Sequence, residues 1–137
     1  MSAPLTGGCE CGAIRYECTA EPIMAGHCHC RSCRSSSGTG HSSHLMVPKA
    51  AVTISGDLTF YERAADSGNA IRRAFCPNCG TPLYGESTGW PDMLTLRAGS
   101  LDDPELFHPA MIVYAEAAPS WDHMDPALPS SPRMPHR

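Results

Sequence analysis

From Gly12 to Thr19 the chain reads Gly-Ala-Ile-Arg-Tyr-Glu-Cys-Thr, with Ile14, Tyr16 and Cys18 on one side and Arg15, Glu17 and Thr19 on the other. A period of two is that of an extended strand with one face covered. This segment therefore predicts a half-buried strand in which Cys18 is a small apolar filler rather than a ligand. Further strands are predicted at 41–47, 51–55, 58–63, 71–76, 82–86, 93–98 and 111–116, with Gly or Pro in many of the gaps. Helical periodicity is scarce. A turn is expected after Cys30, and Asp103-Pro104-Glu105 resembles a short helix start, with Asp as the cap and Pro at the first helical position. The predicted fold class is mainly β with few short helices.

The chain has 137 residues, which suits one domain with one core. We place that domain at residues 1–129. The spacing of Pro126, Pro129, Pro132 and Pro135 predicts an extended Pro-rich tail over 130–137 with a flexible end. Apolar residues make up 42% but aromatics only 7%, so a staple besides the core is expected, and the eight cysteines are the candidates. The first residues, Met-Ser-Ala-Pro-Leu-Thr-Gly-Gly, carry neither the basic nor the apolar region of a signal peptide, and the expected location is cytoplasmic. In a reducing compartment clustered cysteines point to metal or catalysis more than to disulfides. A net charge of -4 and a pI near 5.9, without a basic stripe, argue against nucleic acid as partner. No stretch suits a membrane span, which leaves small molecules or a protein as ligands.

Cys9-Glu10-Cys11-Gly12 and Cys76-Pro77-Asn78-Cys79-Gly80 are two local pairs, each followed by glycine and separated by much of the chain. Tetrahedral zinc takes four thiolates, and a short-spaced pair brings two sulfurs to a metal from one tight turn. These four cysteines are expected to form one zinc site. Four thiolates fill the coordination shell, so its role is structural. A redox pair at Cys76 and Cys79 is the rival, and it lacks the helix such a motif should open.

His27-Cys28-His29-Cys30-Arg31-Ser32-Cys33-Arg34 holds three more cysteines within six residues, an incomplete zinc set. Its fourth position belongs either to a histidine, with His27, His29, His41 and His44 as candidates, or to water and substrate. Zinc on three thiolates has a formal charge of -1 and acidifies water weakly, so binding of an exogenous thiol suits it better than hydrolysis. Without metal, Arg31 and Arg34 would lower the thiol pKa values of a nucleophilic or redox trio. The two arginines either hold the carboxylates of a small thiol ligand or are ordinary surface charges.

Four segments taken together resemble a known family: Gly7-Gly-Cys-Glu-Cys-Gly-Ala-Ile-Arg-Tyr16, Cys28-His-Cys-Arg-Ser-Cys-Arg34 with Ser36 to Gly40, Phe75-Cys-Pro-Asn-Cys-Gly-Thr-Pro-Leu83 and Gly99-Ser-Leu-Asp-Asp-Pro104. The chain is similar over residues 7–129 to the glutathione-dependent formaldehyde-activating enzymes, whose domain is shared with centromere protein V. Pro119-Ser120-Trp121 resembles a further element of that family, while Ala110 follows Pro109 where the family often has histidine. The resemblance implies several small coiled antiparallel sheets organised around zinc. It implies a structural metal on Cys9, Cys11, Cys76 and Cys79 and a catalytic zinc on Cys28, Cys30 and Cys33. The implied activity joins formaldehyde to glutathione, giving S-(hydroxymethyl)glutathione, a carbon-sulfur lyase reaction, with glutathione as the small-molecule partner. The alternatives from other classes are a zinc-stabilised binding module without enzymatic activity and a thiol redox protein using Cys28, Cys30 and Cys33.

Overall fold

The computed structural model describes residues 4–135; residues 1–3 of the expected domain and 136–137 of the expected tail lie outside the described residues. Ten strands follow one another: β1 (Leu5–Gly8), β2 (Arg15–Cys18), β3 (Met24–Cys28), β4 (Ser42–Pro48), β5 (Val52–Ser55), β6 (Thr59–Ala64), β7 (Ala70–Phe75), β8 (Pro82–Ser87), β9 (Met93–Arg97) and β10 (Met111–Val113). The one α-helix among the described residues, α1 (Arg31–Ser37), lies between β3 and β4. The protein is mainly β, as its alternating pattern requires. No helix among the described residues is long and apolar enough to cross a membrane.

The strands form two sheets, a small one in the order β1-β2-β5 and a large one in the order β10-β3-β4-β9-β8-β7-β6. Every pairing is antiparallel except that of β10 with β3. β2 alternates as predicted: Tyr16 and Cys18 are buried, and Arg15 and Glu17 are exposed. Cys18 is 0% exposed and fills the core.

The core lies between the two sheets. Leu5, Tyr16 and Cys18 from the small sheet, with Ile14 just before β2, meet Leu45, Val47, Ala74, Leu83, Leu94 and Leu96 from the large one. Leu45 pairs with Leu96, and Leu96 with Tyr84, so these side chains share one face of the large sheet. Its other face carries the intervening residues: Cys28 opposite Ser42, His44 opposite Arg97, and Arg73 opposite Gly85. Tyr61 lies opposite Arg73 on that same face, and the period of two adds Arg63 to it. α1 covers part of this polar face. The resulting layers are small sheet, core, large sheet and helix, and the layer under the helix is where chemistry is concentrated.

Past β10 the chain runs back alongside the large sheet. Ser130 bridges Ile112 in parallel, and Arg133 pairs with Glu116 at 2.7 Å. Asp103 caps the short 3-10 turn Pro104–Leu106, accepting a hydrogen bond from the Glu105 amide at 3.0 Å.

Candidate metal centres

Two turns from different sheets build the first centre. Cys9 and Cys11 sit in the connection from β1 to β2, and Cys76 and Cys79 in that from β7 to β8. Both turns close by backbone hydrogen bonds: Gly12 donates to the Cys9 carbonyl at 3.2 Å, and Gly80 to the Cys76 carbonyl at 2.8 Å. Gly12 and Gly80 have φ of 83° and 79°, a left-handed conformation that other residues adopt only with strain. The turns therefore aim two thiols each at one point.

All four sulfurs lie within 4.8 Å of one another. Sulfurs placed tetrahedrally at zinc's usual bond length of about 2.3 Å are separated by about 3.8 Å. Here Cys9 Sγ and Cys11 Sγ are 3.6 Å apart, and Cys11 Sγ and Cys76 Sγ 3.7 Å. No cysteine is in a disulfide. The amide of Ile14 donates to Cys9 Sγ at 3.2 Å, and those of Asn78 and Cys79 to Cys76 Sγ at 3.4 and 3.5 Å. Such donors favour thiolate over thiol. The hydroxyl of Thr81 lies 3.2 Å from Cys79 Sγ and, with nearby amides, draws that thiol down to about 5. Donor set, spacing and charge support fit a tetrahedral soft metal ion with no vacancy.

Cys28 at the end of β3, Cys30 at the N-cap of α1 and Cys33 within it form the second centre. The Cys33 amide donates to Cys30 Sγ at 3.3 Å, which caps the helix. At the other end Gly38, in the left-handed conformation, donates to the Arg34 carbonyl at 3.0 Å and stops it. This short helix exists because cysteine and glycine cap it, and it folds Cys33 back over Cys28. The three sulfurs lie within 4.8 Å of one another. Cys28 and Cys33 both hydrogen-bond Cys30 and pull it down to about 2, while the same contacts and burial push Cys28 well above the ordinary thiol value. The contacts among the three thiols thus favour ionisation of Cys30.

Among the described residues no histidine completes the trio to a four-ligand group. His44 comes nearest: its Nε2 is 3.8 Å from Cys33 Sγ and also contacts Ser42 Oγ. Burial, and then the charge of Arg97, hold His44 down to about 3, so it is neutral at physiological pH. The other three candidate histidines, His27, His29 and His41, are engaged elsewhere. His27 Nδ1 meets Ser43 Oγ at 2.8 Å, His29 Nδ1 meets the Gly40 carbonyl at 2.8 Å, and Asp122 lies 2.8 Å from His41 Nδ1.

Of the two arginines expected to face a ligand, Arg31 is exposed at the start of α1 and Arg34 is partly buried in its last turn. Arg34 Nε is buried and has no hydrogen-bond partner among the described residues. Two other arginines hold the helix to the sheet. Arg73 donates to Ser32 Oγ, and Arg97 donates to Ser36 Oγ at 2.9 Å. Period two in Leu94-Thr-Leu-Arg97 does set Arg97 apart from the leucines, but nothing in the sequence shows that a helix covers that face.

The family model described as glutathione-dependent formaldehyde-activating enzyme matches residues 4–117. A Halomonas elongata protein, provisionally named for the same activity, is 26% identical over 127 residues, covering 85% of this chain and 78% of its own length. A lyase of Schizosaccharomyces pombe, itself uncharacterized, is 31% identical over 78 residues, 57% of this chain and 54% of that one. The crystal structure of a Rhodobacter sphaeroides protein superposes with a TM-score of 0.57 at 21% identity, covering 71% of this chain and 87% of its own, which supports the fold. With most of its length matched by that model, the chain belongs to the glutathione-dependent formaldehyde-activating enzyme family.

Proposed function

We propose that the protein is a zinc-dependent carbon-sulfur lyase that joins a small anionic thiol of the glutathione type to an aldehyde, formaldehyde in the simplest case. Convergence of Cys28, Cys30 and Cys33, with no fourth side-chain ligand among the described residues, carries the reading. Three thiolates would hold zinc with one position open. Zinc bound there supplies a site where a thiol is kept deprotonated beside a carbonyl. The four-thiol centre, with Cys9, Cys11, Cys76 and Cys79, holds the two sheets together and takes no part in the reaction.

The chain's own residues account for the remaining demands. Arg63, Arg73 and Arg97 share the face of the large sheet that bears Cys28, and α1 adds Arg31 and Arg34 beside the trio. This concentration of cations on a chain of net charge -4 suits a thiol carrying carboxylates. The reaction forms one carbon-sulfur bond: the sulfur adds to the aldehyde carbon, the carbonyl π pair moves to oxygen, and the proton lost by the thiol returns to that oxygen. Holding both reactants in one place is the main contribution required of the protein. The domain over 1–129 and a cytoplasmic setting belong to the same proposal.

Metal analysis and turnover test it together. The wild type should carry two zinc ions per chain and accelerate appearance of the hydroxymethyl thioether signal in proton NMR with glutathione and formaldehyde. Cys30→Ser should keep one zinc, remain folded and lose that acceleration. Full activity in Cys30→Ser, or a wild type with one zinc and no acceleration, overturns the assignment.

A further inference from the structure

Arg97 is 7% exposed, yet no carboxylate among the described residues forms an ion pair with it. Among the described residues its one hydrogen bond to a side chain goes to the neutral hydroxyl of Ser36, and its buried Nε has no partner there. A guanidinium never loses its proton in a protein, so this is a permanent buried cation. An uncompensated buried charge is costly, and it persists where an anion of the site answers it.

The geometry names that anion. Arg97 lies directly opposite His44, so both side chains leave the same face of the sheet. His44 Nε2 touches Cys33 Sγ at 3.8 Å, and Ser36 Oγ, which receives the Arg97 hydrogen bond, donates in turn to the Cys33 carbonyl at 3.1 Å. Arg97 therefore sits beneath the turn of helix that holds Cys33. Burial works against the charge of Arg97, and the cysteines of the trio, Cys33 foremost, work in its favour. Arg73, fixed to Ser32 on the same face, has no carboxylate ion pair among the described residues either. It adds a second positive charge without neutralising the first.

We infer that Arg97 is the countercharge of the three-cysteine centre and makes it select an anionic fourth ligand, a thiolate, over a neutral ligand of similar size. This rests on the proposed binding of a metal by Cys28, Cys30 and Cys33. A divalent ion on three thiolates has net charge -1. Exchanging a neutral ligand for a thiolate, with the thiol proton released to solvent, brings it to -2. The buried cation opposes that build-up of charge, so its contribution is larger for the thiolate complex than for a neutral one. Arg97 is thus a positioning residue that acts on ligand choice through the field at the cluster and touches no reacting atom.

Cobalt in place of zinc makes ligand choice visible. Protein loaded with two cobalt ions per chain is titrated with 2-mercaptoethanol and, separately, with imidazole, following the thiolate-to-cobalt charge-transfer band and the visible ligand-field bands. Arg97→Gln, which keeps a donor for Ser36 but removes the charge, should weaken thiolate binding about tenfold while leaving imidazole within twofold. Arg97→Lys should restore thiolate binding to within threefold of wild type. Equal weakening toward both ligands, or none toward either, makes Arg97 a packing residue and overturns the inference while the metal assignment stands. A wild type that takes up one cobalt only overturns both. Should Arg97→Gln fail to fold, as judged by circular dichroism, Arg97→Lys decides alone: a tenfold loss of thiolate binding in it refutes a role for charge.

Discussion

The strongest consequence of the two-centre arrangement is unequal dependence of the fold on them. Cys11 and Cys76 are separated by 65 residues, and a link between them removes about 4 kcal/mol of chain entropy from the unfolded state by the usual closure relation. Replacing both Cys76 and Cys79 by serine cuts that link and also places a hydroxyl where Cys76 is fully buried. The loss is therefore at least about 4 kcal/mol, a large share of the roughly 5–15 kcal/mol that stabilises an ordinary domain. With an unfolding entropy near 2.1 cal/mol/K per residue over 137 residues, this lowers Tm by about 14 °C or more. The matching change of Cys30 and Cys33 to serine breaks only a local cluster, and serine at position 30 remains an N-cap for α1. Its cost should stay near 1 kcal/mol, about 3 °C in Tm. Thermal unfolding of the zinc-loaded proteins, followed by circular dichroism, compares the two. Equal shifts in Tm would refute the division between a centre that holds the fold and a centre that serves chemistry.

Two other perturbations probe particular contacts. Thr81 places its hydroxyl 3.2 Å from Cys79 Sγ and accepts from the Glu10 amide at 3.1 Å, so Thr81→Val should lower zinc affinity at the four-thiol centre by about tenfold or more in a chelator competition; an unchanged affinity removes it from that centre. Burial raises the Tyr16 phenol to about 12, above its ordinary 10, although its contact with Ser100 Oγ at 2.7 Å works the other way. The unfolded chain releases this proton first, so the stabilisation is complete below pH 10 and is lost as pH rises to about 12, some 2–3 kcal/mol in all. Denaturant unfolding of Tyr16→Phe should be less stable by about 1 kcal/mol at neutral pH and show a smaller decline between pH 10 and 12; parallel pH profiles for variant and wild type would contradict this.

Legibility in the sequence followed the range of the interaction. The strand over Arg15–Cys18 and the burial of Cys18 were readable because alternation is a local signal. The pairing of Cys9 and Cys11 with Cys76 and Cys79 was readable although it is long-range, since ligand number and turn glycines restrict the possible partners. β1 and β3 were not anticipated: Leu5-Thr-Gly-Gly and Met24-Ala-Gly-His-Cys are short, glycine-containing and without clear alternation. They are strands because their neighbours pair with them. Arg73 and Arg97 carry no sequence signal for a related reason, since only the placement of α1 turns one polar face of a strand into a buried one. Arg31 and Arg34 drew attention by sequence proximity to the cysteines, a cue that says nothing of the charges reaching the trio from behind the helix.

Identical donor atoms can serve two roles in one small domain because the backbone around them differs. A metal on the four thiols would close a loop of 65 residues, whereas Cys28, Cys30 and Cys33 span a single strand-to-helix connection. Closure entropy grows as the logarithm of loop length, so the distant link exceeds the local one by about 2 kcal/mol before any difference in bonding is considered. A ligand change at the local cluster consequently disturbs one capped turn, while a change at the distant link removes a tether between two sheets that also share a packed core. Exchange of a fourth ligand in each catalytic cycle is compatible only with the first of these. Position in the fold, rather than thiol chemistry, is what the proposed function uses to assign the trio to turnover and the tetrad to cohesion.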